Sequence, residues 1–181
     1  MEDRILELIK KHIDDFDRCP PGQEYYYKLL HEVVKEGCTA IEELIKIFDK
    51  ANIDTVILKK QFDEKYAIDG DAIFHKDKTE LIRFDPCSAL KEYEISCYVC
   101  SEAFVGCAVE KIIVRNNVKT MGSKVFKNCM NLIEAIFENG ETKLDNDCFV
   151  GCTDNLVIKA PAGGYVEEYA KKYNIKFEAT K

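Results

Sequence analysis

The residues in this chain best placed to do chemistry are Cys97-Tyr98-Val99-Cys100, two thiols three positions apart. With Cys87 and Cys107 they could offer four thiolates to a zinc ion. The surrounding pattern argues against it. A zinc ribbon or finger pairs one such motif with a second pair of ligands at a set spacing, which is missing here. Cys107 also recurs in series with Cys129 and Cys152, which gives it a packing reason instead. A redox pair opens a helix after a strand, where the thiol pKa falls, whereas this one lies in a strand-to-turn stretch. The total of nine cysteines is odd and unlike a small disulfide framework. Most of them read as reduced thiols acting as small buried hydrophobes.

Other constellations are weaker. His12, His31 and His75 are scattered, and no HExxH joins any of them. There is no G-x-S-x-G, P-loop or G-x-G-x-x-G. Asp145-Asn146-Asp147 has the start of a calcium loop but lacks its glycine and terminal glutamate, so it reads as a polar turn. Asp14, Asp15 and Asp17 read as a solvated helix face and its end. In Tyr25-Tyr26-Tyr27 the three rings point in different directions on a helix, so only part of the run is expected to be buried. No catalytic residue, cofactor or metal ligand is assigned.

The elements that would carry these residues repeat. Phe104-Val105-Gly106-Cys107, Phe126-Lys127-Asn128-Cys129 and Phe149-Val150-Gly151-Cys152 share the form Phe-x-(Gly/Asn)-Cys, with steps of 22 and then 23 residues. Five positions before each Phe stands an apolar residue: Val99, Met121, Leu144. A second element, apolar-x-x-apolar-x-apolar, appears as Leu90/Tyr93/Ile95, Val109/Ile112/Val114 and Leu132/Ala135/Phe137. Ile53/Val56/Leu58 fits it at the front of the array. Its last two apolar positions alternate with the period of a strand. Strands this short cannot bury a face alone, so neighbouring coils are expected to stack in parallel.

This series resembles the BspA-like leucine-rich repeat. Tyr66 to Phe74, followed by Lys76 to Ile82, resembles the hairpin insertion found between coils of that family. Ala160-Pro161-Ala162-Gly163-Gly164-Tyr165 and the run Tyr169 to Phe177 resemble its C-terminal cap. The resemblance covers roughly residues 52–178. It implies a right-handed solenoid, frequent cell-surface location and ligand or matrix binding, with no catalytic residues to transfer. The chain departs from the family in showing no secretion signal and in having few repeats.

Residues 1–51 have helical spacing instead. Ile5, Leu8, Ile9, Ile13 and Phe16 line one face, and Cys19-Pro20-Pro21-Gly22 interrupts it. Gln23 to Glu36 suits a second helix with Tyr27, Leu30, Val33 and Val34 inward, stopped by Gly37. Thr39 and Glu42 suggest a capping box for a third helix, with Ile41, Leu44, Ile45 and Phe48 inward and Asn52 at its end. An open solenoid end exposes apolar core, so these helices read as a cap before they read as a separate interaction module. At the other end Tyr165, Tyr169 and Tyr173 share a helical face that would cover the last coil.

The fold class is therefore an α+β repeat protein: a short right-handed leucine-rich-repeat solenoid with parallel strands, preceded by a small all-helical cap. The solenoid is expected over 52–181, with a hairpin insertion at 66–84 and a C-terminal cap at 160–178. The net charge of −7 and the lack of a basic run argue against a nucleic-acid partner. No stretch approaches the ~20 apolar residues of a membrane span. Met1-Glu2-Asp3-Arg4 leads straight into an amphipathic pattern, which suits a cytoplasmic chain unless a leader precedes it.

The expected function is a protein-interaction or scaffolding module without catalysis. A cell-surface adhesin fragment and a cysteine-cluster metal protein are its rivals. The contact surface expected is the outward sheet face. There Ile57, Glu94, Ile113, Ile136 and Val157 fall in order, and the last three form an apolar column edged by Lys111, Arg115 and Glu134. Such a patch suits an unidentified protein partner or self-association, although β-branched residues also suit strand surfaces for their own sake.

Overall fold

The computed structural model describes residues 2–13, 23–50 and 56–181. Helices α1 (Glu2–Ile13), α2 (Gln23–Val34), α3 (Cys38–Lys50) and α4 (Val56–Lys65) come first. A hairpin follows, of β1 (Tyr66–Asp69) and β2 (Ala72–His75). The coils carry β3 (Glu80–Phe84), β4 (Glu92–Ile95), β5 (Tyr98–Val99), β6 (Lys111–Val114), β7 (Glu134–Phe137) and β8 (Val157–Pro161). The chain closes with α5 (Tyr165–Lys172) and β9 (Lys176–Thr180). The result is a parallel-strand solenoid of about five turns with a small helical N-terminus. Among the described residues no helix is long and apolar enough to cross a membrane.

Two apolar cores form. Leu8 and Ile9 of α1, Leu30 and Val33 of α2, and Ile41, Leu44 and Phe48 of α3 bury one against another, joined by Phe62, Tyr66 and Ile73. The apolar periodicity of these helices predicts that face, with Ile45 only partly buried and Leu29 buried in addition. The proline interruption, the aspartates at 14–17, Phe16, Asn52 and the side chains of His12, Ile13 and Tyr25 to Tyr27 lie outside the described residues. Gly37 does stop α2, at a φ of +107° that favours glycine. The capping box is corrected. Helix α3 already begins at Cys38, and the Thr39 N–H donates to Asp85 Oδ2 at 2.6 Å. The orphan donor at the helix start is thus satisfied by a carboxylate from the first coil.

In the second core the repeat stacks. The rings of Phe84, Phe104, Phe126 and Phe149 follow one another with centroids 4.9, 5.3 and 5.1 Å apart, and Tyr169 of α5 continues the series at 6.1 Å. Each repeat thiol donates to the Phe carbonyl of the coil before it: Cys107 to Phe84, Cys129 to Phe104, Cys152 to Phe126, at 3.6, 2.9 and 3.0 Å. The position between Phe and Cys has φ of +71° at Gly106, +59° at Asn128 and +74° at Gly151. Glycine and asparagine enter this left-handed region most easily, which is why the motif admits only those two here.

Two ladders run along the coils. The main sheet has the order β4-β6-β7-β8-β9, all parallel. On the other flank β3 pairs parallel with β5, and bridges Val99 to Met121 and Thr120 to Lys143 continue the line. The apolar residues five before each Phe lie along this second ladder, all buried. Strand β3 also pairs antiparallel with β2, so the hairpin seals this flank of the first coil. The reading of Ile53/Val56/Leu58 as a first strand is corrected: Val56 opens α4, which carries Phe62 into the helical core, and Ile53 lies outside the described residues. The first coil instead uses Phe84-Asp85-Pro86-Cys87, a degenerate copy of the repeat, at the end of the expected hairpin segment. In the C-terminal cap Tyr169 is buried and Tyr165 half-buried, while Tyr173 lies past α5 and is more exposed, its ring packed on that of Tyr169 at 4.6 Å.

Candidate functional site

Alternation along β6, β7 and β8 turns one set of side chains into the core and the other outward. The inward set, Ile112, Val114, Ala135, Phe137, Ile158 and Ala160, is fully buried. Lys111, Ile113, Arg115, Glu134, Ile136 and Val157 all stand on the outward face, each half-buried. The sequence therefore places all six on one surface.

The apolar column needs a correction. Register pairs Glu94 with Ile113 and Ile113 with Ile136, but Ile136 with Lys159; Val157 pairs with Glu134 in the neighbouring row. Ile57 falls in helix α4 and takes no part in the sheet. The continuous apolar element is thus Ile113 beside Ile136, bounded by Glu94 and Lys159. Val157 lies in a separate shallow depression of about 400 Å³ with Ile133, which is 51% exposed.

Charges surround this pair in an ordered web. Lys111 reaches Glu92 at 2.9 Å and Glu134 at 4.0 Å; Lys159 reaches Glu134 at 2.6 Å and Glu178 at 3.4 Å. Arg115 bridges Glu94 and Glu138, the latter at 2.5 Å. Its guanidinium holds both carboxylates below their ordinary pKa through hydrogen bonds reinforced by charge. Exposed pairs of this kind add little stability. Their effect is on register, since each links neighbouring coils and a slipped strand would oppose like charges.

A groove of about 930 Å³ lies between the helices and the first coils, a feature the sequence reading missed. His31 and Val34 of α2, Glu64 of α4, His75 of the hairpin and Arg83, Cys100 and Val105 of the coils line it. At its wall the Cys100 thiol donates to Glu80 Oε2 at 3.7 Å, and His75 Nε2 stands 3.4 Å from the same oxygen. This is not an activated nucleophile. Burial and the Glu80 carboxylate push the Cys100 thiol up to about 11, so it keeps its proton at neutral pH. Arg83 serves the fold: its guanidinium donates to the carbonyls of Glu102, Ala103 and Val105 at 2.8, 3.3 and 3.1 Å and so holds the Phe104 turn.

The other candidates resolve into structure. Cys107 points to the Phe84 carbonyl and Cys100 to Glu80, so the thiols that could have shared a zinc ion face different partners. Among the described residues no group of three or more His, Cys, Asp or Glu side chains is arranged to hold a metal. Asp147 accepts from the Lys124 N–H at 3.3 Å, and the Asn146 carbonyl accepts from the Tyr169 hydroxyl at 3.4 Å, so that acidic run is a turn tied to the C-terminal helix.

Compared with known families, residues 82–173 match the model of the BspA type leucine-rich repeat region, in six copies. Neither the comparison with curated proteins nor that with solved structures returned a match.

Proposed function

The chain belongs to the BspA-type leucine-rich repeat family, and on that premise we propose that it is a protein-interaction module whose contact surface is the outward face of the main sheet. The observation that supports this reading is Ile113 beside Ile136, half-buried on the outward face in direct register, with paired charges on either side. An apolar centre inside a polar rim is the arrangement that excludes water from a contact while keeping the free surface soluble. Solenoid side chains are largely spent on stacking, the family fold is typically non-enzymatic, and we propose no reaction. Helices α1 to α4 act in this reading as the cap of the first coil, supported by the Thr39–Asp85 bond and the approach of Gly37 to Pro86. The many buried free thiols suit a reducing compartment.

The test is a paired capture from lysate of the source cell. Immobilised wild type is compared with Ile113→Lys/Ile136→Lys and with Val105→Lys, a control on another face. Sedimentation of each protein alone reads self-association. The double variant should lose a retained protein, or a dimer, that the control keeps. Equal retention by all three proteins, or a monomeric wild type that retains nothing, defeats the proposal.

A further inference from the structure

Among the described residues the first coil is paired on one flank, where the hairpin meets β3. Among the described residues, strand β4 is the end strand of the main sheet and pairs with β6 alone. The Lys91 and Ile95 carbonyls accept from the N–H groups of Lys111 and Arg115, so they face β6. Alternation along the strand then turns the N–H and C=O of Glu92 and Glu94 to the open side. The core positions report the same opening. Leu90 is 46% exposed, whereas Val109 and Leu132, its equivalents in later coils, are 1% and 0% exposed. Tyr93 is half-buried where Ile112, Ala135 and Ile158 are fully buried. Among the described residues no strand is stacked in front of β4.

The charge web shows what would fit there. Inside the sheet Glu134 lies between Lys111 and Lys159, Lys111 between Glu92 and Glu134, and Arg115 between Glu94 and Glu138. Among the described residues Glu92 and Glu94 have one such partner each, Lys111 and Arg115, and no strand pairs on their other flank. We infer that the free edge of β4 is a strand-addition site for an extended, basic segment of a partner protein, with Lys or Arg at alternate positions beside Glu92 and Glu94 and apolar residues between them against Tyr93 and Leu90. Main-chain hydrogen bonds to Glu92 and Glu94 supply the binding, and the alternate side chains supply the selection. The site adjoins the Ile113–Ile136 surface, since Glu94 lies beside Ile113, but it uses the strand edge and does not depend on that reading.

Fluorescence anisotropy with labelled hexapeptides tests the inference. One alternates lysine with valine, a second alternates glutamate with valine, and a third is the lysine peptide N-methylated at every second residue. The lysine peptide should bind about tenfold or more tightly than the glutamate peptide, and weaken with salt. Glu92→Lys/Glu94→Lys should reverse the preference, and Val105→Lys, on another face, should leave it unchanged. The N-methylated peptide should not bind, a readout that stands even if the charge-reversed protein fails to fold. Equal binding of the two charge types, or undiminished binding of the N-methylated peptide, overturns the proposal. So does a peptide-free dimer in sedimentation that Glu92→Lys/Glu94→Lys dissociates, because the occupant would then be a second copy of the chain.

Discussion

The Cys129 thiol donates to the Phe104 carbonyl oxygen at 2.9 Å, and its neighbour Phe126 packs on the Phe104 ring, so one short motif binds each coil to the one before it twice. The ring contributes more, because it is fully buried between two others. Phe126→Ala should cost roughly 3–5 kcal/mol, the usual range for emptying a buried aromatic site. Phe126→Leu should cost less. Urea unfolding of the three proteins checks the order, and a Phe126→Ala protein as stable as wild type would show that the stack does not hold the coils.

The same thiols predict a weakness in alkali. Burial pushes Cys107 and Cys129 up to about 12, while an unfolded cysteine ionises near 8.5. Below the unfolded value both states carry the proton and the full stability is present. As pH rises toward the folded value, only the unfolded chain gives up its proton, and stability falls. The slope is about 1.4 kcal/mol per pH unit for each thiol. Chemical unfolding between pH 8 and 11 should show this loss, and Cys107→Ala/Cys129→Ala should flatten it, from a lower starting stability. An unchanged slope in the double variant would assign the loss to other groups.

The Arg115 clasp works in the opposite direction. Glu94 and Glu138 titrate below the ordinary carboxylate range in the folded state because the guanidinium donates to both. Their contribution is therefore present above the unfolded pKa and is lost as pH falls through the folded values. Carboxyl NMR titration should place both midpoints low in wild type and return both toward the ordinary value in Arg115→Met. Midpoints that do not move would mean the two pairs do not persist in solution.

How much of this was legible depends on whether the physics is local. The Phe-x-(Gly/Asn)-Cys turns were readable because each position carries its own demand: a ring for the stack, a left-handed backbone, a small buried donor. The placement of Val157 was not. Leu156 occupies the buried loop position of Leu132 but stands one residue nearer to its strand, since Ile158 aligns with Ala135, so the outward partner of Ile136 became Lys159. The strand of the first coil was read in Leu90/Tyr93/Ile95, but its turn was hidden because Phe84-Asp85-Pro86-Cys87 keeps the ring yet loses the glycine, and because β3 is shared with the hairpin. The groove could not be read at all. Its lining comes from α2, α4, the hairpin and two coils, and no spacing in the sequence brings those elements together.

The repeat's glycine and asparagine allow one more discrimination, between backbone conformation and lack of space. Gly106 has φ of +71° and open space where a side chain would begin, and Asn128 holds the equivalent place at +59°. Gly106→Asn should therefore be nearly neutral, and Gly106→Val should be clearly destabilising, because a β-branched residue resists the left-handed region. Gly122 is constrained for the other reason. A Cβ there would press on the Ser101 nitrogen and stand 2.8 Å from the Cys100 carbonyl carbon, both backbone atoms of the preceding coil. The Gly122 N–H also donates to the Val99 carbonyl at 2.8 Å, so the two coils cannot separate without breaking that bond. Gly122→Ala should cost roughly 1–3 kcal/mol, as overpacking does in a tight core. Urea unfolding should then rank Gly106→Asn with wild type and both Gly106→Val and Gly122→Ala below it. A Gly122→Ala protein with wild-type stability would mean that the coils lie farther apart there than the Gly122–Val99 bond requires.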